Sequence, residues 1–456
     1  MRNIRETLTR SPLPFGHCYP KDLVSFIYET WQDEAFVARV CPRADEDFTL
    51  PDRGVLEQVL STCYQASLLR EEERPVMFRL ILRDSYLFAA EEGPPTGMHR
   101  LIFSRTRPFN EYELHRLAPA ADFYRTLIGM FVEPAQGAQI WGLLHSGTRW
   151  MHAVYGGRKT SPPMPVSLVV YVTGPGQISV CIGDEIIASL NAGQINCPTL
   201  DVFNARWITQ SLTALNEETW ALHQAARACA AKQWAALDPE FSSNVGQQAI
   251  RRIISVIRNS NHGGLLVYLP PEMADEILED NQYITIKYQF LEYESRQRFQ
   301  SLTLRIMNTL AEIYGDPENP DKEVGWQEYV TTKNESIALL DEAIFDIAHF
   351  IAALSAVDGA VVITKRQELL GFGGVISGDL DSVGMVAHAL DTEGEQSEPV
   401  LSEGVGTRHR AAYRLCQKLH QAIAIVISQD ESVQIVKWHN GSVTYWDQIP
   451  TGVPGF

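Results

Sequence analysis

Two short segments of the 456-residue chain hold residue types suited to phosphate chemistry. The first is Asp358-Gly359-Ala360, where a helical stretch ends and the β-branched run Val361-Val362-Ile363-Thr364 begins. A carboxylate therefore sits at a helix-to-strand junction. Gly359 has no side chain and Ala360 almost none, so a planar ligand or a phosphate can approach the backbone beside Asp358 closely. The same residues also make an ordinary turn before a strand, and alone they do not separate the two readings. The second segment is Gly406-Thr407-Arg408-His409-Arg410, which opens a helical stretch with Thr407 placed as its N-cap. Three cationic or potentially cationic side chains crowd the first turn, where Arg408 and Arg410 repel each other and the positive helix end opposes them. The cost is a few tenths to ~1 kcal/mol unless an anion binds there. Free N–H groups and two Arg forks suit a polyphosphate. The competing reading is a solvated basic turn paired with the acidic segment just upstream.

The elements that position these residues follow from apolar spacing and turn signals. Helices are expected at 21–36 and 52–72, strands at 75–83, 100–104, 138–145 and 166–173, and a hairpin through Thr173-Gly174-Pro175-Gly176 into 177–190. An Ala-rich helical stretch over 205–236 ends near Leu237-Asp238-Pro239, which sets the expected domain junction. The second part reads as helix 246–259, strands 264–269 and 283–290, and helices 291–314 and 335–354. Strands and one more helix follow, ending in a hairpin turned at Asn440-Gly441. Residues 379–403 carry seven acidic side chains and no Lys or Arg, and read as a long solvated loop, with a lid over a nucleotide as the lesser alternative. His262, beside Gly263-Gly264, is given no role, because those glycines end helix 246–259.

The two motifs in this order, followed by Ala422–Ser428, resemble the diadenylate cyclase domain of bacteria and archaea, which condenses two ATP molecules into cyclic di-AMP. The resemblance runs from about 244 to 448, with 270–335 matching only in the order of elements. It implies an α/β fold, a C-terminal mixed β-sheet flanked by helices, preceded by a mixed α+β regulatory domain. Carried over by position, it makes Asp358 the carboxylate that binds a divalent metal, Mg2+ or Mn2+, and helps activate the ribose 3′-hydroxyl. Gly359 and Ala360 lie against the nucleotide, Ile376 against adenine. Arg408, His409 and Arg410 hold the triphosphate, with Thr407 assisting and Ser428 near the phosphates. The family continues from that serine with an acidic residue, whereas this chain has Gln429, so Asp430 is the candidate second metal carboxylate.

The chemistry also stands on the residue types. Attack of a 3′-hydroxyl on an α-phosphate needs charge neutralisation and a carboxylate, which one Asp and two Arg supply. Each ATP is both nucleophile and electrophile, so two sites must face each other, implying a homodimer or larger two-fold assembly. The alternative from another class is a degenerate cyclase domain that binds ATP or cyclic di-AMP as a sensor without turnover. A formal charge of −18 argues against nucleic acid or anionic membrane as a partner through bulk charge. The seven cysteines show no zinc-site spacing and read as reduced thiols. No signal peptide or ~20-residue apolar span is legible, which points to a cytoplasmic protein. The division is thus 1–238 as a regulatory region for an unknown ligand and 239–456 as the catalytic domain. In the first region Arg105, Arg107, Tyr112, Trp141 and Trp150 either line a ligand pocket or belong to a core.

Overall fold

The computed structural model describes residues 17–33, 37, 48–94, 97–123, 125–133, 136–147, 164–183, 185–191, 193–196, 202–211, 213–260, 262–279, 281–319, 322–332, 334–428 and 432–447. These fall into two compact units, divided between 196 and 202.

The first unit is one eight-stranded sheet with helices packed on one face. Its elements are α1 (Pro20–Thr30), α2 (Arg53–Ser67), β1 (Phe78–Leu82), β2 (His99–Pro108), α3 (Glu111–Leu117), β3 (Thr126–Glu133), β4 (Gly137–His145), β5 (Leu168–Gly174), β6 (Gln177–Ile182), β7 (Glu185–Asn191) and β8 (Gln194–Asn196). Strand order is β8-β7-β6-β5-β1-β3-β4-β2, antiparallel except for β1 and β3. Leu23, Val24 and Ile27 of α1 and Leu56, Val59, Leu60 and Cys63 of α2 form one core with alternate residues of β1 and β5. This is the period-3.6 stripe of a helix laid on the period-2 face of a sheet. Helix α2 stops at Ser67, short of the expected 72, because Arg70–Glu71 turns back on Arg74–Pro75 with Glu72 and Glu73 at positive φ. Trp141 is core, 2% exposed, with its indole N–H donated to the Arg83 carbonyl at 2.9 Å. Arg107 is held bidentately by Glu113 at 2.8 and 3.0 Å, and this hydrogen bonding keeps the Glu113 carboxyl below its ordinary range. Tyr112 and Arg105 are exposed, and Trp150 lies outside the described residues.

The second unit contains α4 (Arg206–Ser211), α5 (Thr213–Ala228), α6 (Phe241–Asn259), β9 (Gly264–Leu269), β10 (Ile284–Gln289), α7 (Arg298–Ile313), α8 (Glu335–Leu354), β11 (Ala360–Thr364), β12 (Leu369–Ile376), β13 (Met385–Ala389), β14 (Ser397–Leu401), α9 (Thr407–Lys418), β15 (Ile423–Ile427), β16 (Val433–His439) and β17 (Ser442–Trp446). Its nine-stranded mixed sheet runs β10-β12-β11-β9-β15-β16-β17-β13-β14, with β9 parallel to β11 and β13 parallel to β17. Side chains alternate between two cores. Leu266, Tyr268, Val361, Ile425 and Ile427 face α6 and α8, whereas Val267, Leu269, Val362, Ala424 and Val426 face α9. The junction expected near 238 falls inside this unit. Ala236–Leu237 pairs with Glu323–Val324, and α5 packs on α7, where His223 Nδ1 lies 2.7 Å from Asn308 Oδ1. The stretch expected as one helix over 205–236 is two helices and a strand. The acidic segment is also no open loop: β13 and β14 form a hairpin in register Met385↔Leu401 to Ala389↔Ser397. Among the described residues no helix is long and apolar enough to cross a membrane.

Candidate functional site

Register brings the first motif and the family serine to one end of the sheet. Strand β9 starts at Gly264 opposite Ile427, the last residue of β15, so Gly263 and Ser428 lie side by side. Parallel pairing of β9 with β11 sets Leu266 against Val361, which puts Ala360, Gly359 and Asp358 at that same end. Antiparallel pairing of Ala360 with Gly374, and of Ile284 with Ile376, adds the end of β12. Neighbouring strands lie about 4.8 Å apart, so four adjacent strands carry Ile376, Asp358, Gly263 and Ser428 along one edge of the sheet's end.

The glycines there are dictated by close approach. Gly359 has φ +117°, and a Cβ on it would fall 2.6 Å from the carbonyl carbon of Gly373. Gly263 has φ +64°, and a Cβ there would fall 2.7 Å from the Ile427 oxygen and 3.0 Å from Arg408 Nη1. Gly263 thus does more than end helix α6. It lets the Arg408 guanidinium come against the backbone beside Ser428. Gly373 was not singled out by motif reasoning, although the glycine-dense Gly371-Phe372-Gly373-Gly374 is a signal of backbone crowding.

Helix α9 carries the basic residues to this end. Ala412, Leu415 and Cys416 form its buried stripe, and Arg408 stands one turn before Ala412 on that stripe. His409 lies over the next turn, its ring 6.4 Å from that of Tyr413. Arg410 and Thr407 are exposed. The N-cap is Gly406, one residue before the expected Thr407, and it supplies no side-chain acceptor to the first-turn N–H groups.

No carboxylate among the described residues is in ion-pair reach of Arg408 or Arg410, and the upstream acidic segment spends its charge elsewhere. Asp381 pairs at 2.8 Å with Lys418, at the opposite end of α9, and the Lys418 hydrogen bond holds that carboxyl below its ordinary range. Glu398 and Asp447 flank His388 at 3.2 and 2.9 Å, and the hydrogen bond to Asp447 is the main reason this imidazole is held above its usual value. Glu393 lies 3.5 Å from Arg206.

Asp358 is exposed and makes no hydrogen bond or ion pair among the described residues. Asp430 and Gln429 lie outside the described residues. Among those described, no group of three or more His, Cys, Asp or Glu side chains is placed to hold a metal ion by itself. A single carboxylate still fits Mg2+ or Mn2+, since such ions are commonly bound by one or two carboxylates with substrate phosphates completing the shell.

Residues 45–145, less than a quarter of the chain, match the family described as "Probable sensor domain DACNV", a sensor domain found at the N-terminus of diadenylate cyclases. The match spans α2 through β4 of the first unit. No curated protein matches the chain.

Proposed function

We propose that the chain is a diadenylate cyclase that condenses two ATP into cyclic di-AMP and two pyrophosphates, its first unit regulating the second. The observation that carries this reading is the gathering of Asp358, Ser428 and Arg408 at one sheet end, with glycines where a nucleotide needs room. The sensor-family match supports it from the other unit.

In this reading Arg408, Arg410 and the uncapped N–H groups of α9 bind the triphosphate, with His409, Thr407 and the Ser428 hydroxyl completing the cradle. Gly359 and Ala360 present bare backbone to the nucleotide, and Ile376 lies against the adenine. Asp358, with Asp430 as the candidate second ligand, holds the divalent cation. When bound there, Mg2+ or Mn2+ would supply neutralisation of the charge developing at the α-phosphate. The Asp358 carboxylate orients the 3′-hydroxyl and favours loss of its proton as the oxygen joins the α-phosphorus and pyrophosphate departs. The ring closes only when a second chain presents its own ATP, so the working form is a homodimer or larger two-fold assembly. A ligand of the first unit then acts by changing how two sites face, since misplacement near 1 Å costs about 100-fold in rate.

Incubating the full chain with ATP and Mg2+ or Mn2+ yields cyclic di-AMP by mass spectrometry if the reading holds. Tight ATP binding with no product under either metal identifies a non-catalytic nucleotide sensor instead. Arg410→Ala weakens ATP binding by roughly 10- to 150-fold, the loss of one charge-assisted phosphate contact. Equilibrium binding without turnover measures it, and unchanged affinity places the phosphates elsewhere.

A further inference from the structure

The imidazole of His388 on β13 is gripped from two sides. Its Nδ1 lies 3.2 Å from Glu398 Oε1 on β14, and its Nε2 lies 2.9 Å from Asp447 Oδ1 just past β17. A neutral imidazole has one N–H and would set a lone pair against one of the two carboxylates, so both bonds are made only by the imidazolium. The ring also stacks on Tyr445 of β17, its partner in register, at 4.8 Å and 10°. A cation over an aromatic face draws on the ring's quadrupole, which ties this stack to the same proton.

The stack leads towards the candidate phosphate residues. Tyr445 lies 6.4 Å and 28° from Tyr413 of α9, and Tyr413 lies 6.4 Å from His409 one turn earlier. Tyr413 is 2% exposed, with its hydroxyl given to Gln434 Oε1 at 3.3 Å, so it has little freedom to absorb a shift of Tyr445. Hairpin β13–β14 meets the rest of the sheet through the register pairs Ala387↔Thr444 and His388↔Tyr445, and the second of these carries the grip.

Around His388, β14 supplies Glu398, β17 and its end supply Tyr445 and Asp447, and α9 supplies Tyr413 behind Tyr445. Arg410 and Arg414 of α9 form no ion pair with either carboxylate among the described residues. Burial raises the Tyr445 phenol to about 12 and the Tyr413 phenol further, so both stay neutral while His388 titrates. The hydrogen bond to Asp447, ahead of the opposing effect of burial, raises His388 above its usual value of 6.5. The grip is thus complete below that usual value and is lost as pH rises through the raised one.

We propose that His388 is a positioning residue for the first turn of α9. As an imidazolium held by Glu398 and Asp447 it fixes Tyr445, and through Tyr413 the ring of His409, so that a proton on His388 strengthens the hold on a triphosphate. This rests on the nucleotide reading, which gives that turn its ligand. Reciprocity requires that the bound triphosphate in turn strengthens the hold of His388 on its proton.

The test is equilibrium binding of α,β-methylene-ATP, which cannot release pyrophosphate by the proposed reaction, to the full chain with Mg2+ from about pH 6 to about pH 9. Wild type binds at least about fivefold more tightly than His388→Gln at the acid end, and the two converge at the alkaline end. The γ-phosphate and His409 are common to both measurements, so the difference between the profiles belongs to His388. A merely structural loss in the variant would persist at every pH. In the wild type alone, isotopically labelled at histidine and without nucleotide, the His409 ring-proton resonance shows an inflection at the titration midpoint of His388. Equal profiles of the two proteins, a difference that does not close as pH rises, or the lack of that inflection overturns the proposal and leaves the nucleotide reading standing. No binding of the analogue by the wild type at any pH overturns both.

Discussion

Asp358→Asn lowers cyclic di-AMP formation by roughly 100- to 1000-fold or more while leaving ATP binding in place. The substitution keeps shape and removes the charge that, in the proposed mechanism, holds the cation and draws on the 3′-hydroxyl. It leaves untouched the α9 turn that the proposed mechanism assigns to the phosphates, so affinity and turnover are expected to part company. Asp358 is exposed and bonded to nothing among the described residues, and its loss therefore costs little fold stability. Steady-state product formation and equilibrium ATP binding, measured on one preparation, separate the two effects. Mixing the variant into wild type reduces activity beyond simple dilution, since each mixed dimer carries one disabled site. A variant that turns over at the normal rate removes Asp358 from the chemistry, and loss of binding together with turnover makes it a folding residue.

Asp341→Ala is expected to be the most damaging single change to the stability of the second unit. Asp341, 1% exposed on α8, accepts from the Tyr329 hydroxyl and from Arg252 Nη2 at 3.3 Å. Arg252 itself lies 4.6 Å over the Phe345 ring in the same buried layer. Truncating one member of a buried charge pair costs about 3–5 kcal/mol, because the other charge stays behind in a poor solvent. Against a total of about 5–15 kcal/mol, that is a large fraction of the unit's stability. At roughly 2–4 °C per kcal/mol, the melting transition falls by about 6–20 °C. Urea unfolding followed by circular dichroism reads the change directly. A loss below about 1 kcal/mol means that water replaces the carboxylate and the layer is wetter than its burial implies.

Much of this architecture is legible where the determinants are local. Asn440-Gly441 predicts a tight hairpin, and both residues take positive φ, 46° and 85°, joining β16 to β17. Asn334 opens α8 by accepting from the N–H groups of Ser336 and Ile337, and the apolar stripe behind it does the rest. The candidate site is legible as motifs for the same reason, since glycine, aspartate and arginine carry their chemistry in their types.

Other elements hide because distant partners decide them. Strand β3 reads poorly, broken as it is by Gly129. A Cβ at that position would lie 2.0 Å from Trp141, so the glycine exists to admit the indole of the next strand. Helix α7 starts at Arg298 and leaves the expected helical stretch from 291 to a short turn. There Arg296 reaches Glu368 at 3.0 Å, both nearly buried, a contact between residues far apart in sequence. Hairpin β13–β14 escapes because its composition is that of a solvated segment and its pairing depends on β17. The shift of the α9 cap from Thr407 to Gly406 lies within the one-residue ambiguity of any pattern at a helix start.

The hairpin that ends the sheet also limits how copies of this chain can join. Backbone bonds from Leu390 to Gln396 and from Ser402 to Gly384 set the alternation of β14, which turns the backbone of Pro399 outward, away from β13. Proline has no N–H to give, so the outer margin of the sheet lacks a donor at its middle, with Glu398 beside it. A newcomer strand meets a gap in the ladder and a charge, and continuous sheet growth from β14 is blocked. The two-fold pairing of the proposed reaction is thereby kept off β14 and left to the β10 edge, the ends or the faces of the sheet. Of these, contact through the sheet end that carries Asp358 is the one that sets one chain's Asp358 opposite another's nucleotide in the proposed mechanism.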